Sequence, residues 1–192
     1  MTAPRLTHTL RLPGGERVTV RPAYPGDAEI LQRYIRGLSA TSRYNRFFGP
    51  LRELPPVELD RATDADLPGR ATLIAEISAS KPAMSGEVRY AVLSDHACEF
   101  AISVADTWRG RGLGSVLVRN PQCRVRDLGI PTLVGDVLRS NETMLAFARK
   151  AGFGIAARPG DPKLVRIVKD ISVPQAGLPC EELAVPSLPT AA

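Results

Sequence analysis

Cysteine is scarce in this chain, aromatic residues are few, and no long apolar run is present. The three cysteines, Cys98, Cys123 and Cys180, are far apart, odd in number and never spaced as CxxC. A disulfide framework is therefore not expected, and a cytoplasmic location suits the composition. With only His8 and His96 to join them, a Cys/His zinc site lacks ligands and no metal is expected. Aromatics make up 5% of the residues, a poor supply for a platform that stacks single-stranded bases. No apolar run approaches the roughly 18 residues a membrane crossing needs. The first residues also lack the basic-then-apolar order of a leader, so neither a membrane nor a signal segment is expected.

Blocks of lysine and arginine are missing too. The net charge of +5 is spread along the 192 residues, which argues against nucleic acid as a partner but suits a polyanionic cofactor. At 44% hydrophobic and 23% charged residues, wholesale disorder is excluded and one core is expected. No internal repeat is visible. Residues 1–15 read as an N-terminal extension, 16–171 as one domain, and 172–192, with four prolines and few charges, as a tail.

Within the domain, Glu16 to Arg21 alternates and is rich in β-branched residues, so a strand is expected. Asp27 can cap a helix from Ala28 to Leu38. An aromatic-basic segment, Ser42 to Phe48, follows, and Pro55-Pro56 open a short helix over Val57 to Thr63. Ala71 to Ile77, Gly86 to Leu93 and Ala97 to Ala105 read as a three-strand meander, with Pro82 and Gly86 in its first turn. A glycine-rich turn then leads into a helix whose Leu113, Val116, Leu117, Val125 and Leu128 share a face, ended by Gly129. Strand 132–138, a helix 142–150 capped by Asn141 and closed by Gly152, and a strand pair at 153–157 and 164–168 complete the order. The strand–helix–strand crossover from 97 to 138 implies local parallel pairing. A mixed α/β domain of three layers is expected, with helices on both faces of a mostly antiparallel six- to seven-stranded sheet.

The most informative segment is Arg109-Gly110-Arg111-Gly112-Leu113-Gly114. It joins a strand to a helix, where unpaired amides and the helix dipole attract phosphate. Glycines allow close main-chain approach, and Arg109 and Arg111 add positive charge. No Gly-Lys-Ser/Thr ending is present, so a Walker loop is excluded. Ser115 stands where a dinucleotide fingerprint needs its third glycine, and no run of βαβ units surrounds it.

Arg109-x-x-Gly112-x-Gly114 after a strand ending in Val104 resembles the R/Q-x-x-G-x-G/A signature of the GNAT superfamily, and the element order over residues 17–170 resembles it too. Arg43 to Phe48, Glu99-Phe100-Ala101, Trp108 to Gly112, and Asn141 with Ala151-Gly152-Phe153 are similar to the acetyltransferase domain of bacterial Pat-type protein lysine acetyltransferases. The resemblance implies acetyl-CoA as co-substrate. Ile102, Ser103 and Val104 would hold the pantetheine arm, Ile102 and Val104 through their main chain. Arg109, Gly110, Arg111, Gly112, Leu113, Gly114 and Ser115 would cradle the diphosphate, and Asn141 would face the pantetheine or the departing sulfur. Asn141 reads equally well as a helix cap.

An amine acceptor brings one main chemical problem. A lysine amine, with pKa about 10.4, is neutral in roughly 1 molecule of 2,500 at pH 7. The resemblance places a catalytic carboxylate at Glu99, where the other reading is an exposed strand carboxylate. Asp95 and His96 mark the turn before that strand. Two departures stand out. Many GNAT enzymes carry a tyrosine acid in the helix after the asparagine, where this chain has Met144, Phe147 and Lys150. Pro121 also falls inside the helix after the loop, where its missing donor costs about 3 kcal/mol or kinks the helix. The expected activity is N-acetyl transfer from acetyl-CoA to a primary amine in a ternary complex. The acceptor is a protein lysine or a small amine, on a monomer or a homodimer. A degenerate acyl-CoA sensor is the reading from a different class.

Overall fold

The computed structural model describes residues 7–64, 69–78 and 83–173. Eight strands form one sheet: β1 (His8–Arg11), β2 (Arg17–Pro22), β3 (Arg70–Ile77), β4 (Ala83–Val92), β5 (Ala97–Val104), β6 (Thr132–Leu138), β7 (Gly154–Ala157) and β8 (Leu164–Asp170). Their order is β1-β2-β3-β4-β5-β6-β8-β7. Every pairing is antiparallel except β5–β6, as the crossover from 97 to 138 predicts.

The expected strand count is exceeded by β1, which lies in the stretch read as an extension and pairs with β2 from His8↔Val20 to Arg11↔Arg17. A four-residue strand carries too little alternation to stand out. The strand expected from Gly86 begins instead at Ala83, and Gly86 lies inside it. A Cβ there would stand 2.7 Å from Leu117 Cδ1, so the glycine marks close helix packing rather than a turn. Pro82 lies outside the described residues, as does the tail beyond 173.

Helices α1 (Ala28–Gly37), α2 (Ala40–Phe47) and α3 (Pro56–Thr63) cover one face of the sheet; α4 (Leu113–Asp127) and α5 (Glu142–Lys150) cover the other. Asp27 stands at the start of α1, but its carboxylate is turned to Arg21 at 2.6 Å and to the Tyr24 amide at 2.8 Å. The segment Ser42–Phe48 belongs to α2, whose N-cap is Ser39, accepting from the Ser42 amide. Pro121 does not break α4, which is continuous through it. Leu117 and Val125 face the core as expected, whereas Leu128 is exposed. Cys98 is a free, buried thiol, but Cys123 is disulfide-bonded, contrary to expectation.

The main core lies between the sheet and α4–α5, around Val18, Val20, Leu73, Val88, Leu117 and Leu133; a smaller one joins α1 and α3 through Leu31, Ile35 and Leu54. Burying such aliphatic side chains stabilises by roughly 1.5–3 kcal/mol each.

Candidate active site

The β5–β6 pairing is short. It covers Ala97↔Thr132, Cys98↔Leu133 and Glu99↔Val134, while β5 stays paired with β4 to Val104 and β6 with β8 to Leu138. The two strands part at Phe100 and Gly135, where a Cβ on the glycine would meet the Phe100 carbonyl oxygen at 3.0 Å. Beyond that point one edge of β5 has no strand beside it.

Which main-chain groups face this opening follows from alternation. Ala105 donates to the Ser85 carbonyl at 2.8 Å, and the Ser103 carbonyl lies against Gly86. Residues 103 and 105 therefore turn their backbone toward β4, and Ile102 and Val104 turn theirs toward the gap, an edge that could accept an extended amide-bearing chain. Ser103 lines the cleft as well. Its hydroxyl is engaged with Tyr34 Oη at 3.0 Å and donates to Glu87 Oε1 at 3.3 Å.

The strand ends in a 3₁₀ turn, Asp106–Trp108, followed by the glycine loop. Gly110 and Gly112 have φ of 71° and 89°, the left-handed region that glycine adopts without strain. Gly112 is the N-cap of α4 and accepts from Ser115 at 3.1 Å and Val116 at 3.3 Å. The amides of Gly110, Arg111, Gly112, Leu113 and Gly114 have no protein acceptor among the described residues. That nest of donors, at the positive end of a 15-residue helix, has the chemistry of a phosphate cradle. Leu113 contributes only its amide, since its side chain is buried in the core.

Arg111 lies over the Trp108 ring at 4.8 Å and pairs with Glu16 at 3.0 Å. Arg109 donates to Ser42 Oγ at 2.7 Å and pairs with Asp106 at 3.2 Å. Asp106 also accepts from the Ser39 amide at 2.9 Å and from Ser42 Oγ at 2.6 Å. Burial alone would raise its pKa; the hydrogen bonds from Ser42 and Ser39 and the charge of Arg109 outweigh that and hold it low.

A cleft of 1510 Å³ joins the loop, the β5–β6 gap, α2 and the start of α5. Glu99 lines it, half-buried, and its carboxylate forms no hydrogen bond or ion pair within the described residues. Asn141 lines it as well. Its Oδ1 accepts from the Met144 amide at 3.2 Å, so it caps α5, while its Nδ2 has no protein acceptor among the described residues. Met144 and Phe147 of α5 face the cleft, and Phe147 packs against Gly114. Asp95 and His96 are exposed in the turn before β5.

Two acidic residues near the cleft have no singular sequence signal. Glu87 on β4 is 0% exposed, between Arg46 at 3.2 Å and Arg89 at 2.7 Å. Burial would raise its pKa, but the two guanidinium charges and their hydrogen bonds keep it below the usual value. Asp136 on β6 is held by Arg158 at 2.7 Å and Arg166 at 2.8 Å; there too the hydrogen bonds outweigh burial and lower its pKa. Each is an ordinary alternating strand position, and only the tertiary structure brings the arginines to it. In the segment 43–48, Tyr44 and Phe48 are exposed, but Arg46 is drawn inward to Glu87 and lines the cleft.

A β5 edge open to one side and a glycine nest at the start of the following helix give the chain the layout of the GNAT fold. The chain belongs to the acetyltransferase (GNAT) family, whose profile matches residues 40–153, more than half of its length. It is 32% identical over 116 residues to the acetyltransferase PA5475 of Pseudomonas aeruginosa; the match covers 57% of this chain and 60% of that protein, so less than two thirds of the relative is spanned. Among solved structures it is similar to the GNAT domain of S. lividans PAT, with 27% identity, a TM-score of 0.79, and coverage of 88% of this chain and 99% of that one. The cAMP-binding acyltransferase of Mycobacterium smegmatis shares the fold at 18% identity and a TM-score of 0.61, over 92% of this chain and 52% of that one. Among the described residues, no helix is long and apolar enough to cross a membrane.

Proposed function

We propose that the protein transfers an acetyl group from acetyl-CoA to the side-chain amine of a protein lysine, by direct attack in a ternary complex. The observation that carries this reading is the nest of unpartnered amides from Gly110 to Gly114 beside the open β5 edge. These groups fit the two polar parts of coenzyme A. The nest with Arg109 and Arg111 suits the diphosphate, and the Ile102 and Val104 main chain suits the amides of the pantetheine arm. Acetyl-CoA, when bound, supplies the activated thioester.

The remaining task is to remove a proton from the ammonium, which costs about 4–5 kcal/mol at neutral pH. Glu99 is the carboxylate free to do so, directly or through one water. Glu87 and Asp136 are occupied by arginines and held in their charged, unreactive form. Cys98 is no candidate for an acyl-enzyme: burial pushes its thiol up to about 12 and points it into the core, which supports direct attack. The tyrosine acid of many relatives has no counterpart on α5. A thiol of pKa near 8.5 leaves tolerably as the thiolate. Asn141, with its Nδ2 free, is suited to donate toward the departing sulfur.

The protein-lysine reading rests on the likeness to the S. lividans PAT domain and on a 1510 Å³ cleft that reaches Asn45, Arg46 and Phe47 of α2. It is tested by release of free CoA thiol from acetyl-CoA with lysine-bearing proteins, free lysine or small amines as acceptors. Turnover confined to small amines would replace the protein acceptor by a metabolite. Thermal stabilisation by acetyl-CoA with no turnover on any amine would make the protein a sensor.

A further inference from the structure

The hairpin between β1 and β2 reaches the phosphate nest. Pro13, Gly14 and Glu16 line the cleft, and a Cβ on Gly112 would stand 3.2 Å from Pro13 Cδ. Glu16 Oε1 takes Arg111 Nη1 at 3.0 Å. Its other oxygen, Oε2, is buried with no hydrogen-bond partner among the described residues, pressed so closely on Gly14 that a Cβ there would lie 2.3 Å from it. A buried carboxylate oxygen without a partner is costly, and the arginine it accompanies stands beside the five free amides. The hairpin also lies outside residues 40–153, the stretch that the family profile covers.

We propose that Glu16 is a built-in competitor for phosphate: the β1–β2 hairpin holds Arg111 in the free protein and surrenders it when coenzyme A binds. This rests on the reading of the loop as the diphosphate site. Two anions cannot share one guanidinium at close range without repulsion, and a phosphate offers more acceptor oxygens than the carboxylate it displaces. Leaving Arg111 also lets the orphaned Glu16 oxygen reach water. The hairpin therefore sets the affinity for the phosphate-bearing part of the ligand and leaves the acyl and pantetheine parts untouched. The phosphate in question is either the diphosphate or the 3′-phosphate of the ribose.

Isothermal titration of the whole chain with CoA, dephospho-CoA and pantetheine, at low and at 0.5 M salt, tests the idea without any turnover. Glu16→Gln keeps the shape and removes the charge. At low salt it should bind CoA about fivefold more tightly than the unaltered protein, from the loss of an ion pair worth up to about 1 kcal/mol. The gain should shrink at high salt, be absent for pantetheine, and vanish in an Arg111→Gln background. Retention of the gain with dephospho-CoA assigns the contact to the diphosphate, and its loss assigns it to the 3′-phosphate. Hydrogen exchange at the amides of Gly14, Gly15 and Glu16 should rise when CoA is added to the unaltered protein. An unchanged or weaker affinity in Glu16→Gln, with an unaltered melting temperature and with CoA still bound by the parent, overturns the competitor while leaving the loop assignment intact. Failure of the parent itself to bind CoA removes both.

Discussion

Arg109 of the cofactor loop donates to Ser42 Oγ of α2 at 2.7 Å, across 67 positions of sequence. Asp106 secures the joint by accepting from the same hydroxyl and from the Ser39 amide. Helix α2 and the glycine loop are thus tied at one point. Ser42→Ala should lower stability by about 1–3 kcal/mol, because its hydroxyl bonds both Arg109 and Asp106 and each such bond is worth about 0.5–1.5 kcal/mol net, and weaken acetyl-CoA binding severalfold as Arg109 loses its anchor. Ser42→Thr should restore both. Melting curves with and without acetyl-CoA report the outcome; an affinity equal to that of the parent would mean the tie is only structural.

Glu99→Gln removes the proposed base and little else, because the carboxylate has no hydrogen bond or ion pair among the described residues to lose, only the more distant charge of Arg166. Turnover should fall by roughly 10²–10⁴-fold. The dissociation constant for acetyl-CoA and the melting temperature should stay close to those of the parent. Raising the pH should partly rescue the variant, since more of the amine is then neutral. Undiminished turnover would take Glu99 out of the mechanism.

Glu87 gives a prediction in stability. Glu87→Gln leaves the guanidinium groups of Arg46 and Arg89 without their counter-charge; breaking a buried pair in this way costs about 3–5 kcal/mol. Burial pulls Arg46 downward, but an arginine stays charged at any ordinary pH. Because the flanking guanidinium groups hold the folded-state Glu87 carboxyl below its ordinary value of 4.5, its contribution is present above that pH and is lost as the pH falls through the folded pKa. The gap between parent and variant in urea unfolding should be full at pH 7 and close progressively below about 4.5. A gap that is the same at pH 7 and pH 3 would deny the ion pairs.

Gly112→Val tests the phosphate nest. The residue sits at φ 89°, and its Cβ would meet Pro13; the strain is of order 1–3 kcal/mol. At a ligand concentration about 100 times Kd, the parent should gain roughly 2.7 kcal/mol of stability from acetyl-CoA, and the variant should lose that gain.

The sequence made the crossover, the glycine loop and the order of elements after β1 legible, because each depends on local pattern: alternation in Ala97–Val104, spacing in Arg109–Gly114, capping at Asn141. It concealed what depends on distant partners. Ser103 looked like one more cofactor-strand residue, yet its hydroxyl belongs to Tyr34 and Glu87. Arg46 stands in an aromatic-basic run, and nothing in that run shows that its guanidinium turns inward to Glu87. Glu16 appeared to begin a strand and instead ends a turn set against the loop. Neighbours contributed by other elements settle each of these, and no window of residues along the chain contains them.

The three register pairs that join β5 to β6 also bear on mechanics. The sheet is two plates, β1–β5 and β6–β8, meeting along a seam only a fraction of a strand long. An extended ligand laid into that seam acts as mortar, adding the bonds a further strand would have made. Stiffness between the two plates would then depend on whether the seam is filled.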